Sequence, residues 1–395
     1  MEKIVYLDNN ATTRTAPEVR DAMLPFLGEL YGNPSSMHAF GGQIGKHISK
    51  AREEVAAFFN CNPDEIVFTS CATESDNTAI RGTAEFFGKD LKIVTTAVEH
   101  PAVLQPCRRL KALGYETVEL GVDSKGQIDL ARLEDELKRH GGRCLVSAMW
   151  ANNETGTVFP IDEIAAVCKA NGAIFHTDAV QAAGKAEIDL SKTPVDMLSI
   201  SGHKFHAPKG VGALFVRRGT KIKPFMLGGH QESARRAGTE NVAGIVALGK
   251  ACELARAGMA AENARLRALR DRLEKAILEK CPNTRVNGDR DHRLSNTLNI
   301  SFEYIEGEAI AYMLSDAGIC ISTGSACASG SLDPSHVIRA MGVPFVALHG
   351  SVRFSLSRYT TDEDIDYVIE KLPPVIKRLR DLSPFGPDSD PTTFK

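Results

Sequence analysis

From about residue 66 to 216, short apolar runs alternate with helical segments, and no other feature constrains this chain's fold as strongly. Strand candidates are Ile66–Thr69, Ile93–Thr96, Thr117–Leu120, Cys144–Met149, Ala173–His176, Met197–Ile200 and Gly212–Val216. Several are apolar at consecutive positions, as in Leu145-Val-Ser-Ala-Met-Trp150, which suits strands covered on both faces. Strands alternating with helices predict an α/β layered domain around a largely parallel sheet. In such sheets ligands bind beyond the carboxyl ends of the strands, so residues just after each apolar run become the candidates for chemistry.

Beyond Gly258 the pattern changes. Ala260–Lys280 carries Leu266, Leu269, Leu273 and Ile277 at helical spacing and reads as a connecting helix into a smaller domain. That domain would hold strands over Thr297–Phe302 and Ser351–Leu356 and a helix over Asp362–Leu372, with Pro373-Pro374 near its end. At 395 residues the chain exceeds what one core usually supports. The expected division is an N-terminal segment 1–15 packing with the small domain, a large domain 16–258, a small domain 259–382 and a disordered tail 383–395.

A net charge of −3 makes no electrostatic case for nucleic acid or an anionic membrane. The first residues have no signal-peptide core, and no apolar run approaches the ~20 residues that span a bilayer, so a cytoplasmic protein is expected. The nine cysteines are odd in number, scattered and without a Cys-x-x-Cys pair, which argues against a disulfide framework or structural zinc.

Lys204 follows the Met197 strand run and a Ser-Gly-His turn, and Asp178 ends another strand run. A lysine at a sheet edge can form a Schiff base with a carbonyl cofactor, and a neighbouring carboxylate can hold a pyridinium nitrogen protonated. A solvated loop lysine would look the same in isolation. Thr69-Ser-Cys-Ala-Thr73 opens a helix whose free N–H groups, with Thr73, Ser201 and His203, suit a phosphate; a simple N-cap is the plainer alternative. His100, after a strand, can stack on a flat ring or shuttle protons. Asn153 and Gln181 are amides near strand ends that suit a ring oxygen. Arg353 offers a fork for a carboxylate, or for a surface ion pair. Cys327 lies in Ser322-Thr-Gly-Ser-Ala-Cys327-Ala-Ser-Gly-Ser, small polar surroundings in which a thiol is either a nucleophile or a bystander.

Their order along the chain is more specific than any one of them. Ala72-Thr-Glu, Glu99-His-Pro-Ala-Val, Asn152-Asn-Glu-Thr-Gly, His176-Thr-Asp-Ala-Val-Gln, Ser201-Gly-His-Lys, Arg236-Ala-Gly-Thr-Glu-Asn and Gly324-Ser-Ala-Cys closely resemble the pyridoxal-phosphate (PLP) cysteine desulfurases of aminotransferase class V. Thr69-Ser-Cys-Ala-Thr, Met149-Trp-Ala-Asn-Asn-Glu-Thr-Gly-Thr and Ser329-Gly-Ser-Leu-Asp-Pro-Ser-His are similar to the NifS branch, which serves nitrogenase. The resemblance runs from Leu7-Asp-Asn-Asn-Ala-Thr-Thr to about Pro384. It implies the type I PLP fold: a large domain with a mostly parallel seven-stranded sheet plus a smaller α+β domain.

It also implies roles. Lys204 would be the Schiff-base lysine, Asp178 the pyridinium partner, Gln181 the donor to the ring oxygen and His100 the stacking histidine. Asn153 would contact the ring; Ala72, Thr73, Ser201 and His203 would line the phosphate, and Thr239 would reach the phosphate of the other subunit of a homodimer. Arg353 and Asn33 would bind the substrate carboxylate, and Cys327 would accept sulfur from L-cysteine as a persulfide. The acceptor would be an iron–sulfur scaffold of the NifU kind, a nascent cluster being shared transiently with Cys327. A selenocysteine lyase or another class V aminotransferase is the nearest alternative, and a catalytically silent scaffold the next. A nicotinamide dehydrogenase is disfavoured, since no Gly-x-Gly-x-x-Gly opens a helix after a strand.

Overall fold

The computed structural model describes residues 4–140, 143–323 and 333–386. Twelve strands, β1–β12, are Val5–Tyr6, Ile66–Thr69, Lys92–Thr96, Thr117–Leu120, Cys144–Ser147, Ile174–Asp178, Met197–Ser201, Gly212–Val216, Thr284–Val286, Thr297–Phe302, Ile319–Cys320 and Ser351–Ser355 among the described residues. All seven strands expected between residues 66 and 216 form one sheet in the order β2-β8-β7-β6-β5-β3-β4. Every neighbouring pair is parallel except those made by β8, which runs against both β2 and β7. Strands β2, β3, β5, β7 and β8 are buried at every position, which explains their unbroken apolar runs: helices cover both faces.

The carboxyl ends of β2, β3, β5, β6 and β7 share one edge, because two antiparallel steps through β8 restore the direction of β2. Thr69, Thr96, Asp178 and Ser201 are the last residues of their strands and stand along that edge.

A second core belongs to the antiparallel sheet β12-β10-β9 and the helices Gly307–Asp316 and Asp362–Leu382. It gathers Leu298, Ile300, Phe302, Ile310, Phe354 and Val368. Val5 and Leu7 also bury here, with β1 pairing in parallel with β11. The helix expected from Ala260 begins instead at Val242 and runs unbroken to Lys280. Its 39 residues span about 58 Å. Ile245, Leu248 and Cys252 bury in the large core, and Leu266, Leu269, Leu273 and Ile277 in the small one, so residue 258 lies within one rigid rod.

The last helix, expected to stop at Leu372, continues through Pro373-Pro374 to Leu382. The prolines remove two N–H donors, yet burial of Ile376 holds the continuation. Arg380 anchors its end by donating to the carbonyls of Pro282 (2.6 Å) and Asn283 (2.8 Å).

Candidate active site

At the carboxyl edge of the large sheet lies a cavity of about 390 Å³. Ala72, Thr73, His100, Asn153, Asp178, Gln181, Ser201, His203, Lys204 and Arg353 all line it. These residues are scattered over most of the sequence, and the sheet topology brings them together.

Each is positioned by its element. Thr73 is exposed in the first turn of the Ala72–Phe87 helix, where N–H groups have no intrahelical acceptor. Gly212 lets that helix start so close to the sheet: paired with both Thr69 and Ser201, it would set a Cβ 2.6 Å from the Ile200 carbonyl oxygen and 3.0 Å from the Cys71 carbonyl carbon. His100 is the N-cap of the Pro101–Ala112 helix, its Nδ1 accepting from the Ala102 N–H at 3.1 Å, so the imidazole is neutral with its proton on Nε2. Burial, then the charge of Lys204, holds this ring down to about 4.

Asp178 ends β6, its Oδ1 fixed by the Val180 N–H at 2.9 Å. Burial raises this carboxyl to about 6, while the Val180 N–H and the Lys204 charge oppose the rise. Lys204 follows β7 in a short helical turn, and its Nζ donates to the carbonyls of Asn10 (2.7 Å) and Ala11 (2.9 Å). Lys185 Nζ lies 3.2 and 3.4 Å from the backbone and side-chain oxygens of Gln181 and 3.3 Å from the Lys204 carbonyl. The Gln181 amide nitrogen donates to Asn10 O at 2.9 Å.

Asp8, Asn10 and Ala11 are the parts of the site to which motif reasoning gave no role. Asn10 is buried and ties Asn153, Thr297 and Asn296 together. Asp8 pairs with Arg353, Oδ1 to Nη2 at 2.8 Å, while Nη1 donates to the Asn153 carbonyl at 2.8 Å. The only hint in sequence is the polar cluster after Leu7, which reads equally well as a turn.

Three expected residues stand apart. Asn33 is exposed and accepts from Ser35 N–H in its own loop. Thr239, also exposed, lines a separate small cleft with Arg236 and Glu240. Cys327 lies outside the described residues.

A phosphorylated pyridine aldehyde fits the donor set. Ser201 Oγ is buried on the wall without a hydrogen-bond partner, beside a helix start, which suits a phosphate oxygen. An amine and a buried acid face the same space. Among the described residues no group of acids, histidines and cysteines is arranged to hold a metal ion.

Comparison with known proteins is decisive at this point. Residues 5–368 match the family model described as aminotransferase class-V. The chain belongs to that family. It is 57% identical to a cysteine desulfurase of Nostoc sp. over 98% of this chain and 96% of that protein. It is 54% identical to the cysteine desulfurase NifS of Azotobacter vinelandii, over 98% and 97% of the two chains. A solved NifS-like protein superposes with a TM-score of 0.90 at 39% identity, covering 95% of this chain and 100% of that one. The chain thus sits among the cysteine desulfurases of the class-V aminotransferases, which are PLP enzymes, and the expected fold and cofactor are both borne out. No helix among the described residues is long and apolar enough to cross a membrane.

Proposed function

We propose that this enzyme converts L-cysteine to L-alanine, receives the sulfur on Cys327 as a persulfide, and passes it on for iron–sulfur cluster assembly. The observation that carries the reading is the convergence of ten expected residues on one cavity. Bound there, PLP supplies an electrophilic carbonyl and an electron-withdrawing ring.

Lys204 would hold the carbonyl, and its free amine would move the substrate's α proton. Asp178, its Oδ1 already held by the Val180 N–H, would supply the carboxylate opposite the ring nitrogen. His100, a neutral imidazole with its proton on Nε2, would stack on the ring and could exchange a proton during turnover. Gln181, steadied by Lys185, would donate to the ring oxygen, and Asn153 would border the ring. Ala72, Thr73, Ser201 and His203 hold the phosphate. Arg353 would take the substrate carboxylate; Asn33, expected to help it, does not line the cavity. The Cys327 thiolate attacks the substrate sulfur; the carbon–sulfur bond breaks with its electron pair left on carbon, which is then protonated toward alanine.

The enzyme acts as a cytoplasmic homodimer in which Thr239 reaches the partner's phosphate. The exposure of Thr239 and of the apolar side chains of Tyr31, Met37 and Leu227 supports that assembly. Its acceptor is an iron–sulfur scaffold of the NifU kind, with a nascent cluster shared transiently at Cys327, and its service is nitrogenase maturation. Similarity to NifS supports this finer assignment.

The test is sulfur transfer from labelled cysteine. Alanine and protein persulfide should form in equal amounts, and a reductant should release sulfide. Cys327→Ala should keep the cofactor's visible absorbance and lose the persulfide; Lys204→Ala should lose that absorbance. Turnover of selenocysteine but not cysteine would instead mark a selenocysteine lyase.

A further inference from the structure

Asp76 has none of the roles above, yet it is the most unusual polar group in the cavity wall. It lies in the Ala72–Phe87 helix, is completely buried, and borders the same cavity as Asp178. Neither of its carboxyl oxygens has a hydrogen-bond partner of good geometry, and the Ser199 hydroxyl, shared with His176, is the one polar group that favours its ionised form. An ionised carboxylate in that state is costly by several kcal/mol, so a bare anion is not a tenable form.

Its surroundings supply no compensating charge. His176 Nε2 lies 3.5 Å from Asp76 Oδ1. That imidazole is engaged at both nitrogens, by Ser147 Oγ at 2.9 Å and Ser199 Oγ at 3.0 Å. Burial holds it down to about 3, so it stays neutral and the close approach is not an ion pair. The other titratable groups acting on Asp76 are Asp178 on β6, Glu99 beyond β3 and Cys71 at the helix start. All three carry negative charge when ionised, and none offers a cation.

We propose that Asp76 is a positioning residue: a neutral carboxylic acid whose one O–H is directed to Asp178, so that the pair's single negative charge rests on Asp178, opposite the ring nitrogen. The idea rests on the assignment of Asp178 as ring-nitrogen partner. Two buried carboxyls bordering one cavity do not readily ionise together, and the more enclosed one keeps the proton. Burial and the Asp178 charge both push Asp76 well above the usual carboxylate range, whereas Asp178 is raised only to about 6. An O–H donor next to Asp178 stabilises its anion without adding charge. The ring nitrogen then meets one negative charge, enough to hold its proton, rather than two.

The test follows the carboxyls directly, by isotope-edited infrared or carbon-13 titration of the full-length protein stripped of cofactor, alongside cofactor affinity after reconstitution. Among the buried carboxyl steps of the wild type, one should be removed by Asp178→Asn and a higher one by Asp76→Asn, with Glu99→Gln marking the step that belongs to Glu99. In Asp76→Asn, where an amide still donates, the Asp178 step should stay in place and the cofactor should bind as in wild type. In Asp76→Ala, where no donor remains, the step should rise by about one pH unit, with cofactor binding weakened roughly tenfold. A fall of the Asp178 step in Asp76→Asn would mean that Asp76 is an anion, and would overturn the proposal. So would an unmoved step in a folded Asp76→Ala; if that variant does not fold, Asp76→Asn decides alone. Failure of the underlying assignment looks different: Asp178→Asn would then keep wild-type cofactor affinity and spectrum.

Discussion

Asp8→Asn should weaken the fold and tighten the substrate at once. Arg353 is 4% exposed, and Asp8 is the carboxylate that neutralises it, at 2.8 Å. Removing one partner of a fully buried pair costs about 3–5 kcal/mol, because a charge is left uncompensated. Here the Asp8 side chain is 21% exposed and an amide oxygen can still accept from Nη2, so a loss of about 1–2 kcal/mol is expected.

The effect on substrate has the opposite sign. Arg353 Nε is buried without a partner and the residue lines the cavity, so a substrate carboxylate can be held there while Asp8 keeps Nη2. Two carboxylates flanking one guanidinium stand ~6 Å apart and, at an effective dielectric of 20, repel by about 3 kcal/mol. Water at the cavity mouth and the shared cation reduce this by roughly half, leaving about 1.4 kcal/mol, or tenfold. The KM for L-cysteine, followed by alanine formation under single-turnover control, should therefore fall about tenfold, while the urea midpoint drops. An unchanged or higher KM beside the lower midpoint would refute the reasoning, since Arg353 would then not share its charge with the substrate. Arg353→Lys is the companion: it loses the fork and should raise KM steeply.

Three further outcomes follow from the geometry. Gly212→Ala should weaken cofactor binding at least tenfold in an equilibrium titration, because its Cβ must displace the Ile200 carbonyl or the start of the phosphate-facing helix. Gly258→Ala, mid-helix with nothing within 4 Å, should stabilise the protein by about 0.5–1 kcal/mol and leave the cofactor untouched. Glu99→Gln tests pH dependence: burial raises Glu99 from 4.5 to about 8, so the folded state holds a proton there that the unfolded chain releases. Its stabilising contribution is complete below pH 4.5 and is lost as pH rises through 8. The variant's urea midpoint should accordingly fall less than the wild type's between pH 6 and 9; equal falls would show that Glu99 is already ionised.

What was legible in the sequence was whatever repeats a local rule. Strands β2, β3, β5, β7 and β8 are buried at every position, so each appears as an apolar run, and the residues after the parallel strands stand at the carboxyl edge. The start of the Val242–Lys280 helix was not legible, because its first half is buried on several sides by Ala243, Ile245, Ala247 and Leu248 and shows no amphipathic stripe. The two-residue strands β1 and β11 were equally hidden: a pairing of Val5 with Ile319 has no local period at all. Asp76 gave no signal either, since an acid in the first turns of a helix is the ordinary complement to its dipole. Only its complete burial separates it from that pattern.

The N-terminal segment also explains how the two cores act on one cavity. Val5 and Leu7 bury in the small core, while Asn10 and Ala11 carbonyls hold Lys204 at the edge of the large sheet. Asp8 stands between them on Arg353, whose own strand exchanges backbone hydrogen bonds with Ser322, where the Gly-Ser-Ala-Cys327 stretch begins. On the far side of that stretch, Ser335 donates to Glu154 and His336 Nε2 contacts the Glu99 carbonyl at 2.9 Å, next to Asn153 and His100 respectively. Both ends of the segment carrying Cys327 are therefore fastened to residues adjoining the cavity lining. Loosening Asp8 should then reach further than Arg353: it releases a strut that shares one short segment with the lysine anchor and with the root of the cysteine-bearing stretch.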